Sequence, residues 1–208
     1  SNTDHRIFGG GIYLAAGGLI SNCLIEGNAN ALERPSIRGG GGVYMAGSGL
    51  IVGSTFIGNQ DRRSGSGAFL YHTGAIISNS SFVGNSYPGA SRDSAVELGA
   101  GGQLVNCLIV SNAQGVYFSG GNSAAIMRNC TVADHSSRGI FIVNTNNAAS
   151  FVDNNIVFDN SPDLDLSGGP SFTNFFNNCS GQAALLAYGA GNMTNAPQFA
   201  DAGNGNYR

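Results

Sequence analysis

The chain has 208 residues, 33 of them glycine, no lysine or tryptophan, and only 10% charged residues against about 25% in an ordinary soluble domain. A net charge of −3 offers no footprint for nucleic acid or an anionic membrane, and a 42% hydrophobic share argues for a packed core over disorder. The uncharged stretch 98–127 is broken by Gly, Gln, Asn and Ser every few residues, so it holds no ~20-residue apolar run for a membrane helix.

From the N-terminus, "SNTDHRIF" lacks the basic start and apolar run of a secretory signal, and the initial Ser points to a processed or excised piece. Next comes "GGGIYLAAGGLISNCLIEGN" (9–28), and a near-copy, "GGGVYMAGSGLIVGSTFIGN", occupies 40–59. The copying continues. "NCLIEGN" (22–28) aligns with "GSTFIGN" (53–59), "NSSFVGN" (79–85), "NCLIVSN" (106–112), "NCTVADH" (129–135) and "NNIVFDN" (154–160). Upstream of each lies a second short run: "GIYL", "GVYM", "AFLY", "AVEL", "GVYF" and "GIFI". A third run sits between them, from "LIS" to "FV". Each period of 23 to 31 residues therefore holds three short β-type runs separated by Gly or Asn, with no room for a helix.

This pattern predicts an all-β fold: a right-handed, single-stranded parallel β-helix of six to seven rungs over residues 1–166. Residues 167–208 form a C-terminal rung or tail. Leucine-rich repeats lack a counterpart here for their helical segment, and transmembrane barrels need strands of ~10 residues.

Alternation of side chains assigns the faces. Ile25, Phe56, Phe82, Ile109, Val132 and Val157 are predicted to point inward, as are Ile12, Val43, Phe69, Val96, Val116 and Ile140. Cys23, Ser54, Ser80, Cys107, Cys130 and Asn155 form an inward column of small groups. Two turn columns, Asn22/79/106/129/154 and Asn28/59/85/112/160, are read as structural asparagine ladders, because Asn tolerates left-handed backbone and its amide can bond the next rung. Parallel Cβ vectors on adjacent rungs suit a disulfide poorly, so the cysteines are read as buried free thiols.

Three surfaces carry chemistry. Asp134 and Asp159 share a rung position beside His135. Stacked carboxylates could act as paired acids or hold a cation, and Asp163 and Asp165 nearby make a Ca²⁺ site possible; the competing reading is a solvated polar turn. Arg34, Arg38, Arg62, Arg63 and Arg92 gather at one loop corner that could grip carboxylates or sulfates. An outward column of Tyr13, Tyr44, Leu70, Glu97, Tyr117 and Phe141 offers aromatic faces for sugar rings, with Tyr13, Tyr44 and Tyr117 as ligand contacts. A further outward stripe, Ile57, Val83, Val110, Ala133 and Phe158, is apolar and requires a cover: the tail over about 167–199, or another chain.

Gly10-Gly11-Ile12, Gly41-Gly42-Val43 and Gly67-Ala68-Phe69, paired with Phe56-Ile57-Gly58-Asn59 and Phe82-Val83-Gly84-Asn85, resemble the repeat of chlamydial polymorphic outer-membrane proteins. The ending "NNCSGQAALLAYGAGNMTNAPQFADAGNGNYR" is similar to the tail closing the β-helix of secreted bacterial proteins with interchangeable anchors. These resemblances imply a secreted or surface-exposed bacterial protein in families where adhesion is commoner than catalysis. "NTD" (2–4) matches one polygalacturonase motif, but the companion Asp-Asp, Gly-His-Gly and Arg-x-Lys motifs are missing. The expected function is a non-catalytic module for adhesion or contact with an acidic or cell-surface glycan, with no cofactor unless Ca²⁺ binds. The alternatives are an enzyme on acidic polysaccharides and a structural spacer or end-stacking unit.

Overall fold

The computed structural model describes residues 9–30, 39–63, 65–89, 92–119, 123–143, 150–168 and 174–207. Three seven-stranded parallel sheets wind around one axis as a right-handed β-helix. The first sheet stacks Ile12–Leu14, Val43–Met45, Ala68–Leu70, Ser94–Leu98, Gln114–Phe118, Ile140–Val143 and Leu164–Gly168. The second stacks Leu19–Ser21, Gly49–Val52, Ala75–Ser78, Gly102–Val105, Ala125–Arg128, Phe151–Asp153 and Phe175–Phe176. The third stacks Leu24–Glu26, Thr55–Ile57, Ser81–Val83, Leu108–Val110, Thr131–Ala133, Ile156–Phe158 and Cys179–Ser180.

The core is built as the alternation requires. Ile25, Phe56, Phe82, Ile109, Val132 and Val157 pair in unbroken register and are buried, with the Phe56 and Phe82 rings stacked at 4.3 Å. The Gly-Gly motif before the first strand has a steric cause. A Cβ on Gly41 would stand 2.4 Å from the Ser66 carbonyl oxygen of the next rung, and one on Gly42 2.5 Å from that of Gly67.

One inward column is corrected by a single residue. Val43 pairs with Ala68 and Ala68 with Val96, so Ala68 and Leu70 face the core and Phe69 faces outward, between Tyr44 and Glu97. A slip of one residue exchanges the faces, and the run Ala68-Phe69-Leu70 has no polar residue to mark the phase. The small-group column is also corrected at one end: Cys107 and Cys130 are buried, but Cys23, on the first described rung at the edge of the third sheet, is exposed. All four cysteines are free thiols.

The two asparagine columns behave differently. Asn28, Asn59, Asn85 and Asn112 point inward, and each amide of the first three donates to the Oδ1 of the next at 2.9–3.1 Å. The backbone N–H groups of Asn28, Asn59 and Asn85 donate to the same oxygens at 2.7–3.1 Å. Asn59, Asn85 and Asn112 also donate to the strand carbonyls of Ile25, Phe56 and Phe82. The amides of these four ladder residues are thereby matched, at about 1 kcal/mol net per bond. The other column, Asn22, Asn79, Asn106, Asn129, Asn154 and Asn177, is exposed and holds left-handed backbone, with φ from 48° to 56°.

The C-terminal end of the solenoid is closed by a 3₁₀ helix, Ala183–Tyr188, whose Leu185 enters the core beside Phe175. The next residues bond to the last rung: the Asn177 N–H donates to the Ala190 carbonyl and the Ser180 N–H to that of Met193. The chain then returns to the third sheet, where the Tyr207 hydroxyl lies 3.3 Å from Asp134 Oδ2. Within the predicted tail, a Cβ on Gly181 would stand 3.5 Å from the Phe158 ring of the apolar stripe, and the Phe199 ring meets Tyr207 at 5.3 Å. Along the stripe Val110 and Ala133 are buried, whereas Ile57 remains 36% exposed.

Candidate functional site

The acidic corner splits, with Asp134 and Asp159 at the surface and His135 turned into the core. Asp134 and Asp159 each occupy a left-handed turn position with φ 58°, the place that Gly58 and Gly84 fill in earlier rungs with φ 59° and 63°. Both side chains are exposed, and Asp134 accepts from Ser111 Oγ at 2.8 Å. His135 points the other way. It stands in the inward ladder in place of an asparagine, where its Nδ1 meets the Asn112 backbone N–H at 3.1 Å, while its own N–H donates to Asn160 Oδ1 at 3.1 Å. Burial lowers its pKa to about 4, against smaller opposing effects from the Asn112 backbone and Asp134. Its Nε2 is buried without a hydrogen-bond partner.

The nearby acids are engaged elsewhere. Asp163 terminates the ladder, accepting from Asn160 Nδ2 at 3.0 Å, from Ser180 Oγ at 3.1 Å and from the Gly181 N–H at 2.9 Å. Asp165 pairs with Arg138. Among the described residues no group of three His, Cys, Asp or Glu side chains is placed to hold a metal ion.

The outer face of the first sheet joins the two predicted ligand surfaces. Its register runs Tyr13, Tyr44, Phe69, Glu97, Tyr117, Phe141 and Asp165. Tyr13 stacks on Tyr44 at 5.7 Å, Tyr44 meets Phe69 at 5.1 Å, and Tyr117 stacks on Phe141 at 5.0 Å. Tyr71, absent from the predicted column, lies 6.3 Å from Tyr44. The ladder is not an open platform: Tyr44, Phe69 and Tyr117 are at most 4% exposed, and Tyr13 and Tyr71 present the accessible rings at 47% and 38%.

Cations lie over this face. The Arg92 guanidinium carbon sits 5.5 Å from the Tyr117 ring centroid and that of Arg138 4.4 Å from Phe141, within cation–π range. Burial pushes the Tyr117 phenol pKa up, offset in part by Arg92. Glu97, almost buried between Phe69 and Tyr117, adds a carboxylate to the row. Arg62 and Arg63 are exposed at the neighbouring loop corner; Arg34 and Arg38 lie outside the described residues. Asp61 and Asp93, the acids in these loops, are buried and hold them: Asp61 accepts from the Gly40 and Arg63 N–H groups and Asp93 from that of Tyr87. Burial raises the Asp93 pKa.

No helix among the described residues is long and apolar enough to cross a membrane. Comparison with curated proteins and with solved structures finds no match. A family model described as "Right handed beta helix region" matches residues 41–199, most of the chain and nearly all of its rungs. With the three parallel sheets and their inward ladders, that match places this chain in the right-handed β-helix family.

Proposed function

We propose that the chain is a non-catalytic binding module of a secreted or cell-surface bacterial protein, and that the outer face of its first sheet holds an acidic glycan. The observation that carries this reading is Arg92 over Tyr117 beside Glu97, which brings the basic corner and the aromatic column into one surface. Exposed Tyr13 and Tyr71 give sugar rings apolar faces, and Arg62, Arg63 and Arg92 match carboxylates or sulfates by charge and fork geometry. A binding role is favoured over hydrolysis or elimination because Asp134 and Asp159 face solvent while His135 is shut inside the ladder.

A glycan array carrying uronate and sulfated chains tests this. Binding is expected, and it should weaken at least tenfold when Arg62, Arg63 and Arg92 are changed to Ala, with the fold unchanged. No binding to any acidic glycan overturns the reading. So does turnover of a uronate polymer that Asp134→Ala or Asp159→Ala abolishes.

A further inference from the structure

A second surface lies on the third sheet, away from the arginine corner. The returning residues Asn204, Gly205, Asn206 and Tyr207 form one wall of an open groove of about 780 Å³, within the ~300–1,000 Å³ typical of ligand sites. The other wall is the exposed left-handed column Asn79, Asn106 and Asn129. The floor is the outward row Thr55, Ser81, Leu108 and Thr131, in continuous parallel register.

The geometry points to a binding site for a neutral glycan chain lying along the solenoid axis. Amides and hydroxyls both donate and accept, as a sugar hydroxyl demands of its partners. They recur at the rung spacing of ~4.8 Å, close to the advance of one ring in an extended oligosaccharide. The array is partly tied to itself, which fixes its directions: Asn106 Nδ2 donates to Asn79 Oδ1 at 3.3 Å and Ser81 Oγ to Thr55 Oγ1 at 3.3 Å. The Tyr207 ring and Leu108 supply apolar surface for the C–H face of a sugar. The bond from Tyr207 to Asp134 and its edge contact with Phe199 at 5.3 Å hold that wall in place.

Charge selects the class. Among the described residues none that lines the groove is charged, so the described lining offers a uronate or nucleic acid no cation. A peptide strand would find no open edge, because every strand of the floor is hydrogen-bonded on both sides. This site is independent of the acidic-glycan surface and differs from it in the ligand it takes.

The test is titration calorimetry on the full chain with hexasaccharides of glucose, mannose and xylose, and hexagalacturonate for comparison. At least one neutral hexamer should bind. The double change Asn79→Gly with Asn106→Gly should weaken it about tenfold, the loss of one or two hydrogen bonds. Glycine keeps the left-handed backbone, so the melting temperature should hold. Tyr207→Ala, on the returning C-terminal segment, is a second variant that should weaken it too, while Arg92→Ala should leave it unchanged. The site is refuted if no neutral hexamer binds, or if binding survives both the double change and Tyr207→Ala. Loss of binding in Arg92→Ala assigns the sugar to the first-sheet face and refutes it equally.

Discussion

Asparagine recurs in register in two turns of this solenoid, and the two columns have opposite roles. In the inward column, from Asn28 to Asn112, the amides are enclosed and spend their hydrogen bonds on the adjoining rungs. In the outward column, from Asn22 to Asn177, the same side chain is exposed, and what the turn draws on is tolerance of positive φ. Gly53 substitutes in the outward column with φ 61°, whereas the inward column admits His135 only with a buried nitrogen left over. Residue type is shared; side-chain direction decides whether it serves as internal support or as accessible amide.

The sharpest way to separate the columns is Asn85→Ala. It strands one amide N–H and the backbone N–H of Asn59 and the Phe56 carbonyl in the interior, and at ~1–3 kcal/mol per orphaned group should cost roughly 4 kcal/mol. The midpoint of urea unfolding measures it, and a loss under about 1 kcal/mol would erase the distinction drawn above.

The next largest effect concerns the histidine that interrupts the inward column. Its native pKa lies near 4, below the unfolded value of 6.5, so the unfolded chain binds the proton more readily. Stability is therefore full above pH ~6.5 and falls as pH drops toward 4, by about 3 kcal/mol in total. His135→Asn should remove that slope, as seen in unfolding midpoints across pH 4–7. A slope identical to the parent's would show that the imidazole is not the group titrating.

In the outward column, Asn106→Val should cost about 1–2 kcal/mol, because a β-branched residue resists φ 54°. Asn106→Gly should stay within about 0.5 kcal/mol. The smallest effect belongs to the solvated pair beside that turn, Arg128 with Asp153 at 2.7 Å and an arginine side chain 47% exposed. Arg128→Ala should change stability by less than about 0.5 kcal/mol, and less still in high salt.

The rung period, the parallel β-helix, the core column from Ile25 to Val157 and the turn asparagines were legible in the linear sequence. Repetition repeats the same local physics, and alternation over three residues marks an inside and an outside wherever polar groups flank the run. Other features depended on which residues stack across rungs. Ala68-Phe69-Leu70 has no polar marker, so only pairing with Val43-Tyr44-Met45 turned Phe69 outward. Cys23 matches the residues of a buried column but stands on the first described rung, at the edge of the third sheet, where it is exposed. The joining of Arg92 to Tyr117, the turning of His135 away from Asp134, and the return of Tyr207 to the third sheet across 73 residues are long-range contacts without a local signal. The sequence by itself determined the repeating unit, because a rung's turns and alternation are set within some 25 residues; only the tertiary structure decided the surfaces, because they form where separate rungs and the returning tail come together.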